Sequence, residues 1–351
     1  MEKLFVRRMI LALGNIEHWL RDLKMNLRIA IKTYRNEMCI HGMPDSILRM
    51  ICDITHSEEL FTKQLQIREK KYNRMSSEQK RKLIEKQYKY VMGHNMNWNN
   101  PRTFSEKIQI IKTEGVTDSM RSLVDKYSVR EWIKNTIGEE YIVPLCGVYN
   151  CTEEIDWESL PEQFCIKTNH GSAMNIIIKD KSTVDKRRVN NLIDTWMKRP
   201  FDMVGYELQY QGIERKIIIE KYIEEIDGDL YDYKFHCING KPRFIQCIGK
   251  RNLKTHTAYH DHFDLDWNRL DWNFECFERF PYDVERPRNL EKMIELAKIL
   301  SKGFNYVRVD LYDIGEKVLF GEMTFTPGSG LYPYNGTWNY ERDLWLGEQI
   351  G

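Results

Sequence analysis

The chain has 351 residues, which is long enough for two domains or for one large domain with an appendage. Its formal net charge is +1, so the composition does not favour nucleic acid or an acidic polymer as a partner. We find neither a signal peptide nor an apolar run near the roughly 18–20 residues of a membrane-spanning helix, and therefore expect a cytosolic protein.

Residues 1–100 are predicted to form a helical unit. Apolar residues recur at helical spacing through residues 1–36, with basic residues between them. This segment could dock peripherally on the anionic face of an inner membrane. We expect it instead to pack on the rest of the protein, because such an apolar stripe is rarely left bare. A charged helical stretch follows over about residues 57–92, which we interpret as a solvated face.

Asn99-Asn100-Pro101 interrupts the helical pattern and predicts a boundary, so residues 101–351 form the second unit. Thr103 begins a helix, and Glu106 completes a capping box. A further helix is predicted over residues 125–138, followed by a strand over residues 141–149.

A lysine and a turn of small residues mark the next strand pair. A buried strand ends at Lys167, residues 169–173 form a Gly/Ser turn, and residues 175–179 return as a strand. Such a lysine can grip phosphate, because loop N–H groups contact oxyanions and the ammonium adds charge. The Walker spacing GxxxxGK[ST] is absent, so an ordinary structural turn is an equal alternative.

Residues 216–247 combine a buried strand with a hairpin. The strand ends in Glu220-Lys221, and the hairpin closes at Asn239-Gly240, the strongest short-range hairpin signal. Charged residues at the ends of apolar strands usually sit at the mouth of a cleft.

Residues 304–330 read as two strands joined by a tight turn. Apolar and polar residues alternate in both strands, so pairing them brings Arg308, Asp310 and Glu322 onto one surface. Two carboxylates suit Mg²⁺, and an arginine suits the triphosphate that would share the ion. An ordinary hairpin with a surface salt bridge is the alternative.

Histidines cluster in a stretch that reads as a loop, residues 256–264. A transition-metal site is one interpretation, but no cysteine supports it, and we favour substrate contact or a solvated loop. The histidines, with the aspartate beside them, are His256, His260, Asp261 and His262. Four tryptophans are expected to pack internally, with stacking on a sugar in a cleft as the alternative, namely Trp267, Trp272, Trp338 and Trp345.

Taken in order, these motifs resemble the ATP-grasp superfamily. RVD at residues 308–310 followed by E-x-T-x-TPG is similar to the D-alanine–D-alanine ligases. The span from residue 99 to residue 330 more closely resembles the TupA-like ATP-grasp family of bacterial surface-polysaccharide gene clusters. The resemblance implies an α+β ATP-grasp fold, in which two α+β subdomains grip ATP, with an N-terminal helical extension. The lid subdomain would span roughly residues 145–222 and the catalytic subdomain roughly residues 223–351.

The resemblance also implies a nucleotide site. Lys126 and Lys167 would hold the α- and β-phosphates, and the 169–173 turn would close over them as a lid. Either Asp227 or Asp229 would bind the ribose. Three lid residues would contact ATP, namely His170, Gly171 and Ser172. Four residues would receive the adenine, namely Glu220, Lys221, Tyr222 and Ile223.

The catalytic and acceptor residues follow from the same resemblance. Asp310 and Glu322 would hold Mg²⁺ between the β- and γ-phosphates, and Arg308 would neutralise charge in the transition state. Thr324 stands where the family pattern has an asparagine. A hydroxyl is a weaker metal ligand than an amide carbonyl, so the number of Mg²⁺ ions stays open. The acceptor would contact Lys234, Thr326, Gly328 and Ser329.

The implied activity is an ADP-forming carboxylate–amine ligation through an acyl phosphate. It would attach an amino acid or amine to a uronic acid or similar carboxylate, free or lipid-linked, during capsule or surface-polysaccharide synthesis. A kinase acting on a glycan or small-molecule hydroxyl is an alternative, and so is a non-catalytic nucleotide- or glycan-binding module. The intact set of Lys167, Arg308, Asp310 and Glu322 speaks against the non-catalytic alternative.

Overall fold

The structure is a computed structural model that describes residues 57–223, 230–252, 257–274, 278–334 and 336–351. The predictions for residues 1–36, and those for Asp227, Asp229 and His256, lie outside the described residues. The described chain divides into two compact units. The smaller contains residues 57–80 and 198–200, and the larger contains the described parts of 81–197 and 201–351.

Two helices occupy the predicted charged stretch, α1 (Glu58–Asn73) and α2 (Ser77–Met92). The chain breaks between them because Ser76 and Gln79 cap a new helix reciprocally. The Gln79 side chain accepts from the Ser76 N–H at 2.8 Å, and the Ser76 hydroxyl accepts from the Gln79 N–H at 3.3 Å. The interpretation as a solvated face is wrong for one side of this stretch, where the side chains of Leu65 and Tyr88 are fully buried.

The next helix, α3 (Phe104–Thr113), begins with the predicted capping box. The Thr103 hydroxyl accepts from the Glu106 N–H and the Glu106 carboxylate accepts from the Thr103 N–H, both at 3.1 Å. The remaining helices are α4 (Asp118–Val124), α5 (Val129–Thr136), α6 (Lys186–Met197), α7 (Asp202–Gly205), α8 (Leu290–Leu300) and α9 (Tyr340–Glu348). None of the helices in the described ranges is both long enough and apolar enough to cross a membrane.

A four-stranded antiparallel sheet holds the lysine strand. Its strands are β1 (Leu145–Tyr149), β2 (Phe164–Thr168), β3 (Asn175–Ile178) and β4 (Ile217–Lys221), in the spatial order β1-β4-β2-β3. Ile166, Ile217 and Ile219 lie on one face of the sheet and belong to the same buried cluster as Trp196 of α6. The opposite face of the sheet is therefore free to carry Lys167 and Glu220.

A five-stranded antiparallel sheet holds the predicted carboxylates. Its strands are β5 (Asp232–Ile238), β6 (Lys241–Asn252), β7 (Thr257–Phe263), β8 (Tyr306–Asp313) and β9 (Val318–Thr324), in the spatial order β7-β6-β5-β8-β9. The predicted turn joins β5 and β6, with φ of 50° at Asn239 and 70° at Gly240, as a type I′ hairpin requires. One face packs on α8 through Phe235, Val307 and Val309.

The histidine stretch was predicted as a loop, and that prediction is wrong. It forms β7, which pairs with β6 and opposes His262 to Gln246. Tyr259 and Phe263 face the core, and Asp261 between them interrupts the alternation of apolar residues. Its carboxylate can be buried because Arg269 and Arg279 neutralise its charge. The sequence pattern was obscured by this ion-pair cluster.

The histidines on β7 are interior residues. His262 is fully buried and stacks on Trp272, with the ring centroids 4.6 Å apart. Burial lowers the pKa of both His260 and His262 to about 3, so both are neutral at pH 7. The solvated-loop interpretation is therefore wrong.

The tryptophan prediction is correct for most of the set. Trp272 and Trp338 are buried, and Trp267 stacks on Phe263 with the ring centroids 4.1 Å apart. It is wrong for Trp345, which lies on α9 with half of its surface exposed.

Candidate active site

Three charged side chains form a row across adjacent strands of the five-stranded sheet. Lys234 on β5 opposes Asp310 on β8, which opposes Glu322 on β9. The Lys234 ammonium donates to the Asp310 carboxylate. A bulge at Gly321 keeps Glu322 on this face while Phe320 turns into the core. A Cβ at Gly321 would lie only 3.0 Å from the Asp310 carbonyl oxygen, so glycine suits the bulge.

Arg308 binds both carboxylates of the row. Its Nε and Nη2 atoms donate to the two oxygens of Asp310, each at 2.7 Å. Nη2 also donates to Glu322 Oε1 at 2.9 Å and to Thr324 Oγ1 at 3.1 Å. The sequence prediction that Arg308, Asp310 and Glu322 share one surface is confirmed. The alternative of a surface salt bridge is wrong, because Arg308 and Asp310 are buried.

Lys126 approaches the row from the segment between α4 and α5. Its ammonium donates to the Gly171 carbonyl and lies 3.8 Å from Glu322 Oε2. Burial favours a raised pKa for Glu322, but Lys126, Lys234 and Arg308 outweigh it and hold the pKa at about 2. Glu322 is therefore ionised throughout the ordinary pH range.

The helix α5 starts later than predicted, and Lys126 therefore lies before the helix. The helix begins at Val129 and not at residue 125, because Asp125 forms a side-chain turn. Its carboxylate accepts from the Tyr127 N–H at 2.9 Å and from the Ser128 hydroxyl at 2.7 Å. Lys126 thus lies in a turn that precedes the helix.

The 169–173 turn is held by a buried amide that we did not predict as a site residue. Asn169 donates to the Asp125 carboxylate at 2.8 Å and to the Glu214 carbonyl at 2.9 Å, and accepts from the Lys216 N–H at 2.7 Å. The Asn169 carbonyl also accepts from the Lys126 N–H at 3.2 Å. The turn and Lys126 are therefore positioned together.

On the four-stranded sheet, Glu220 is shared by two cations. Lys167 Nζ lies 2.6 Å from Glu220 Oε2, and Arg130 Nη1 lies 3.2 Å from Glu220 Oε1. Burial acts to lower the pKa of Lys167, but the adjacent Glu220 outweighs it and raises the pKa above its usual value. We did not predict Arg130 as a site residue, although it lies in the predicted helix at residues 125–138 and within the span that resembles the family.

A cavity of about 610 Å³ lies between the two sheets. Six basic and four acidic side chains line it, so its lining is net positive, as a polyphosphate requires. The predicted residues that line it are Lys126, Lys167, Gly171, Ser172, Glu220, Lys221, Tyr222, Ile223, Lys234, Asp310 and Glu322. Residues that we did not predict include Cys165, Lys179, Leu230, Asp232, Arg251 and Tyr312.

Arg251 and Asp232 extend the charged row towards the outer strands. The Arg251 guanidinium donates to the Asp232 carboxylate, which lies 3.5 Å from the Lys234 ammonium. Only the strand pairing brings these groups together, since β6 opposes Ile248 to Asp232. Nothing in the local sequence around Arg251 indicated the contact.

His170 and three of the four predicted acceptor residues, Thr326, Gly328 and Ser329, do not line the cavity, whereas the fourth, Lys234, does. His170 is buried although it belongs to the 169–173 turn. Thr326 is buried and donates its hydroxyl hydrogen to the Glu207 carboxylate. Ser329 presents its carbonyl to Lys112 Nζ at 3.0 Å. The residues at 326–330 thus form a separate turn, which is the continuation of β9.

Lys112 is fully buried, although it is a lysine on an amphipathic helix. It follows Ile108 by four positions and so shares the apolar face of α3, which was a readable sign of burial. Burial lowers its pKa to about 7, and Glu207 offsets only part of that effect. Burial raises the pKa of Glu207.

This lowered pKa makes folding stability depend on pH. Between pH 7 and 10.5 the unfolded chain binds the Lys112 proton more tightly than the folded chain, so the free energy of unfolding rises with pH. We expect the free energy of unfolding of wild type, minus that of Lys112→Met, to rise by up to about 1.4 kcal/mol per pH unit. Urea titrations of both proteins across this range measure it, and parallel pH profiles would contradict it.

Two antiparallel sheets that share a charged cavity agree with the ATP-grasp fold implied by the sequence resemblance. A comparison with family models matches residues 106–351, more than two thirds of the chain, to the family described as TupA-like ATPgrasp. The chain belongs to this family, which confirms the resemblance drawn from the sequence. A search of curated proteins found no match.

Solved structures resemble the chain only weakly. The D-alanine–D-alanine ligase from Bacillus anthracis is 18% identical, with 58% of this chain and 57% of that chain covered and a TM-score of 0.35. The ATP-grasp ligase PsnB, complexed with a phosphomimetic variant of its minimal precursor, Mg and ADP, is 11% identical, with 57% and 50% covered and a TM-score of 0.34. The D-cycloserine synthetase DcsG is 14% identical, with 66% and 72% covered and a TM-score of 0.35. The chain therefore spans about half of the length of the first two proteins.

Proposed function

We propose that the protein is an ATP-dependent, Mg²⁺-dependent, ADP-forming carboxylate–amine ligase. The observation that supports this most strongly is the row formed by Lys234, Asp310 and Glu322, bound by Arg308, inside a net positive cavity. Membership of an ATP-grasp family supports ATP as the nucleotide. In this proposal residues 145–222 form the lid subdomain and residues 223–351 the catalytic subdomain.

ATP would lie along the cavity from the four-stranded sheet to the carboxylate row. Lys167 and Lys126 would contact its phosphates, because both ammonium groups line the cavity. The adenine would contact Glu220 and residues 221–223 at the end of β4. Gly171 and Ser172 would cover the phosphates, whereas the buried side chain of His170 makes a structural role the better assignment.

The carboxylate pair fits Mg²⁺. Asp310 and Glu322 oppose each other directly, and Thr324 places a hydroxyl 3.2 Å from Glu322 Oε1, which gives the all-oxygen donor set that Mg²⁺ prefers. A bound ion would supply charge neutralisation at the β- and γ-phosphates. Arg308 already binds both carboxylates, so it would stay close to the transferring phosphoryl group.

The proposed reaction has two steps. A carboxylate oxygen of the acceptor attacks the γ-phosphorus, the bond to the β,γ-bridging oxygen breaks, and ADP leaves. An amine nitrogen then attacks the acyl carbon, inorganic phosphate leaves with the former carboxylate oxygen, and the nitrogen loses a proton. Lys126, Lys234 and Arg308 would stabilise the charge that develops on the phosphoryl oxygens. The N–H groups of the 326–330 turn would bind the acceptor carboxylate or the acyl phosphate.

We propose a uronic acid as the carboxylate and an amino acid or amine as the nucleophile, in surface-polysaccharide synthesis. The family resemblance carries this substrate class. A panel of D-glucuronate and D-galacturonate with and without amino acids tests it, by ADP release and by mass spectrometry of the products.

Amine-dependent ADP release with an amide product is the expected result, and Asp310→Asn should abolish it. A stable phosphorylated sugar formed without an amine would instead identify a kinase. ATP binding without turnover on any member of the panel would favour a non-catalytic module.

A further inference from the structure

The 326–330 turn has an unusual backbone. Gly328, Ser329 and Gly330 all have positive φ, at 56°, 55° and 65°. This conformation costs a non-glycine residue such as Ser329 of the order of 1–3 kcal/mol. The surrounding side chains must therefore hold the turn in place, and four buried polar residues do so.

Two donors from α3 hold the carbonyl groups of the turn. Lys112 Nζ and Gln109 Nε2 both donate to the Ser329 carbonyl oxygen at 3.0 Å. Gln109 Nε2 also donates to the Gly330 carbonyl at 3.1 Å. Both side chains are fully buried, so these hydrogen bonds are shielded from water.

Two further residues hold the other end of the turn. The Glu207 carboxylate accepts from the Thr326 hydroxyl, and Gln209 Nε2 donates to Thr326 Oγ1 at 2.6 Å. Gly205, just before them, allows a close approach, because a Cβ there would lie 1.9 Å from the Ser329 hydroxyl oxygen. The segment after α7 is thus shaped to fit the turn.

The helix that carries Lys112 is itself anchored. Asp343 on α9 accepts from the Ser105 N–H at 2.9 Å and from the Ser105 hydroxyl at 3.1 Å. Gly347 lets α9 meet the start of α3, since a Cβ there would lie 2.2 Å from the Arg102 carbonyl oxygen. A displacement of Ser329 would therefore have to strain α3 against α9.

Burying Lys112 is costly. Its hydrogen bond is to a backbone carbonyl, and an apolar side chain of similar length would fill the space without desolvating a charge. The lysine is thus better explained by its hydrogen bond to the turn than by a contribution to the free energy of unfolding. The turn continues directly from Thr324, which Arg308 binds at 3.1 Å.

We propose that Lys112 and Glu207 are positioning residues, which fix the 326–330 turn so that the backbone N–H groups of its two glycines meet the acceptor carboxylate and the acyl phosphate. This rests on the proposed ligase function. Neither side chain would touch the substrate. Their effect would reach the reaction through Ser329 and Thr326.

Lys107 provides a matched control on the same helix. Its ammonium donates to the Ile350 carbonyl at 2.5 Å, and this acceptor is not part of the turn. Lys112→Met and Lys107→Met therefore each remove one lysine-to-carbonyl hydrogen bond from α3. With D-glucuronate as the acceptor, Lys112→Met should lower kcat/KM at least about tenfold, with the Kd for MgATP unchanged within about twofold.

Two readouts distinguish positioning from a general loss of structure. Lys112→Met should melt at the same temperature as wild type or higher, because it removes a buried charge. Glu207→Gln should keep most of the activity that Glu207→Ala loses, because the amide oxygen can still accept from the Thr326 hydroxyl. Lys107→Met should leave acceptor kinetics within about twofold of wild type.

Hydrogen exchange separates this inference from the ligase proposal. In the full chain with MgATP and no acceptor, Lys112→Met should speed amide exchange at residues 326–331 at least about tenfold, and Lys107→Met should not. If wild type fails to use D-glucuronate, the substrate proposal fails while the exchange result still decides the inference. Equal exchange in both variants, or unchanged acceptor kinetics in a folded Lys112→Met, would overturn it.

Discussion

Replacing Asp310 with Asn or Glu322 with Gln is expected to lower ATP turnover at least about 100-fold, since several kcal/mol of transition-state stabilisation would be lost. Each substitution keeps the shape of the side chain but removes the charge that would hold Mg²⁺. Arg308 would also lose an ionic partner in both variants. Coupled ADP assays at limiting Mg²⁺ measure the effect, and circular dichroism checks the fold.

Asp313→Asn is the matched control for these variants. Asp313 lies on the same strand but binds Asn289 at 2.8 Å, outside the cavity, so its replacement should leave turnover almost unchanged. Wild-type turnover in either Asp310→Asn or Glu322→Gln would show that the metal assignment is wrong.

Lys167→Ala is expected to weaken ATP binding by roughly 1.5–3 kcal/mol, the range for a hydrogen bond to a charged group. The loss should be specific, because Arg130 would still pair with Glu220 after the substitution. Isothermal titration calorimetry with ATP measures the change in affinity.

Lys216→Ala serves as the comparison for Lys167. Lys216 precedes β4 and pairs with Glu214 at 2.8 Å, away from the cavity lining, so its loss should leave ATP affinity unchanged. An unchanged affinity in Lys167→Ala, or an equal loss in both variants, would contradict the proposed phosphate contact.

Local sequence signals predicted the elements that local chemistry determines. The Asn239-Gly240 turn and the alternation around Asp310 gave the two hairpins, and both hairpins are confirmed. The capping box at Thr103 gave the start of α3. Each signal lies within a few residues of the feature that it specifies, so a single sequence was sufficient.

Contacts between distant segments could not be read in the same way. Arg130 binds Glu220 across 90 residues of sequence, and Lys234 binds Asp310 across 76. These pairs depend on how distant helices and strands are arranged in space, which local periodicity does not specify. The burial of Lys112 could have been read from its place on the apolar face of α3, but its partner Ser329 could not, since it lies 217 residues away.

Transfer of oxygen-18 from the acceptor carboxylate to inorganic phosphate tests the proposed ligase reaction most directly. With carboxylate-labelled D-glucuronate, ATP, Mg²⁺ and an amine, one labelled oxygen should appear in the released phosphate, because the amine displaces it from the acyl phosphate. Phosphorus-31 NMR detects the label by its isotope shift. Unlabelled phosphate, or label retained entirely in the sugar alongside a stable phosphate ester, would contradict carboxylate activation.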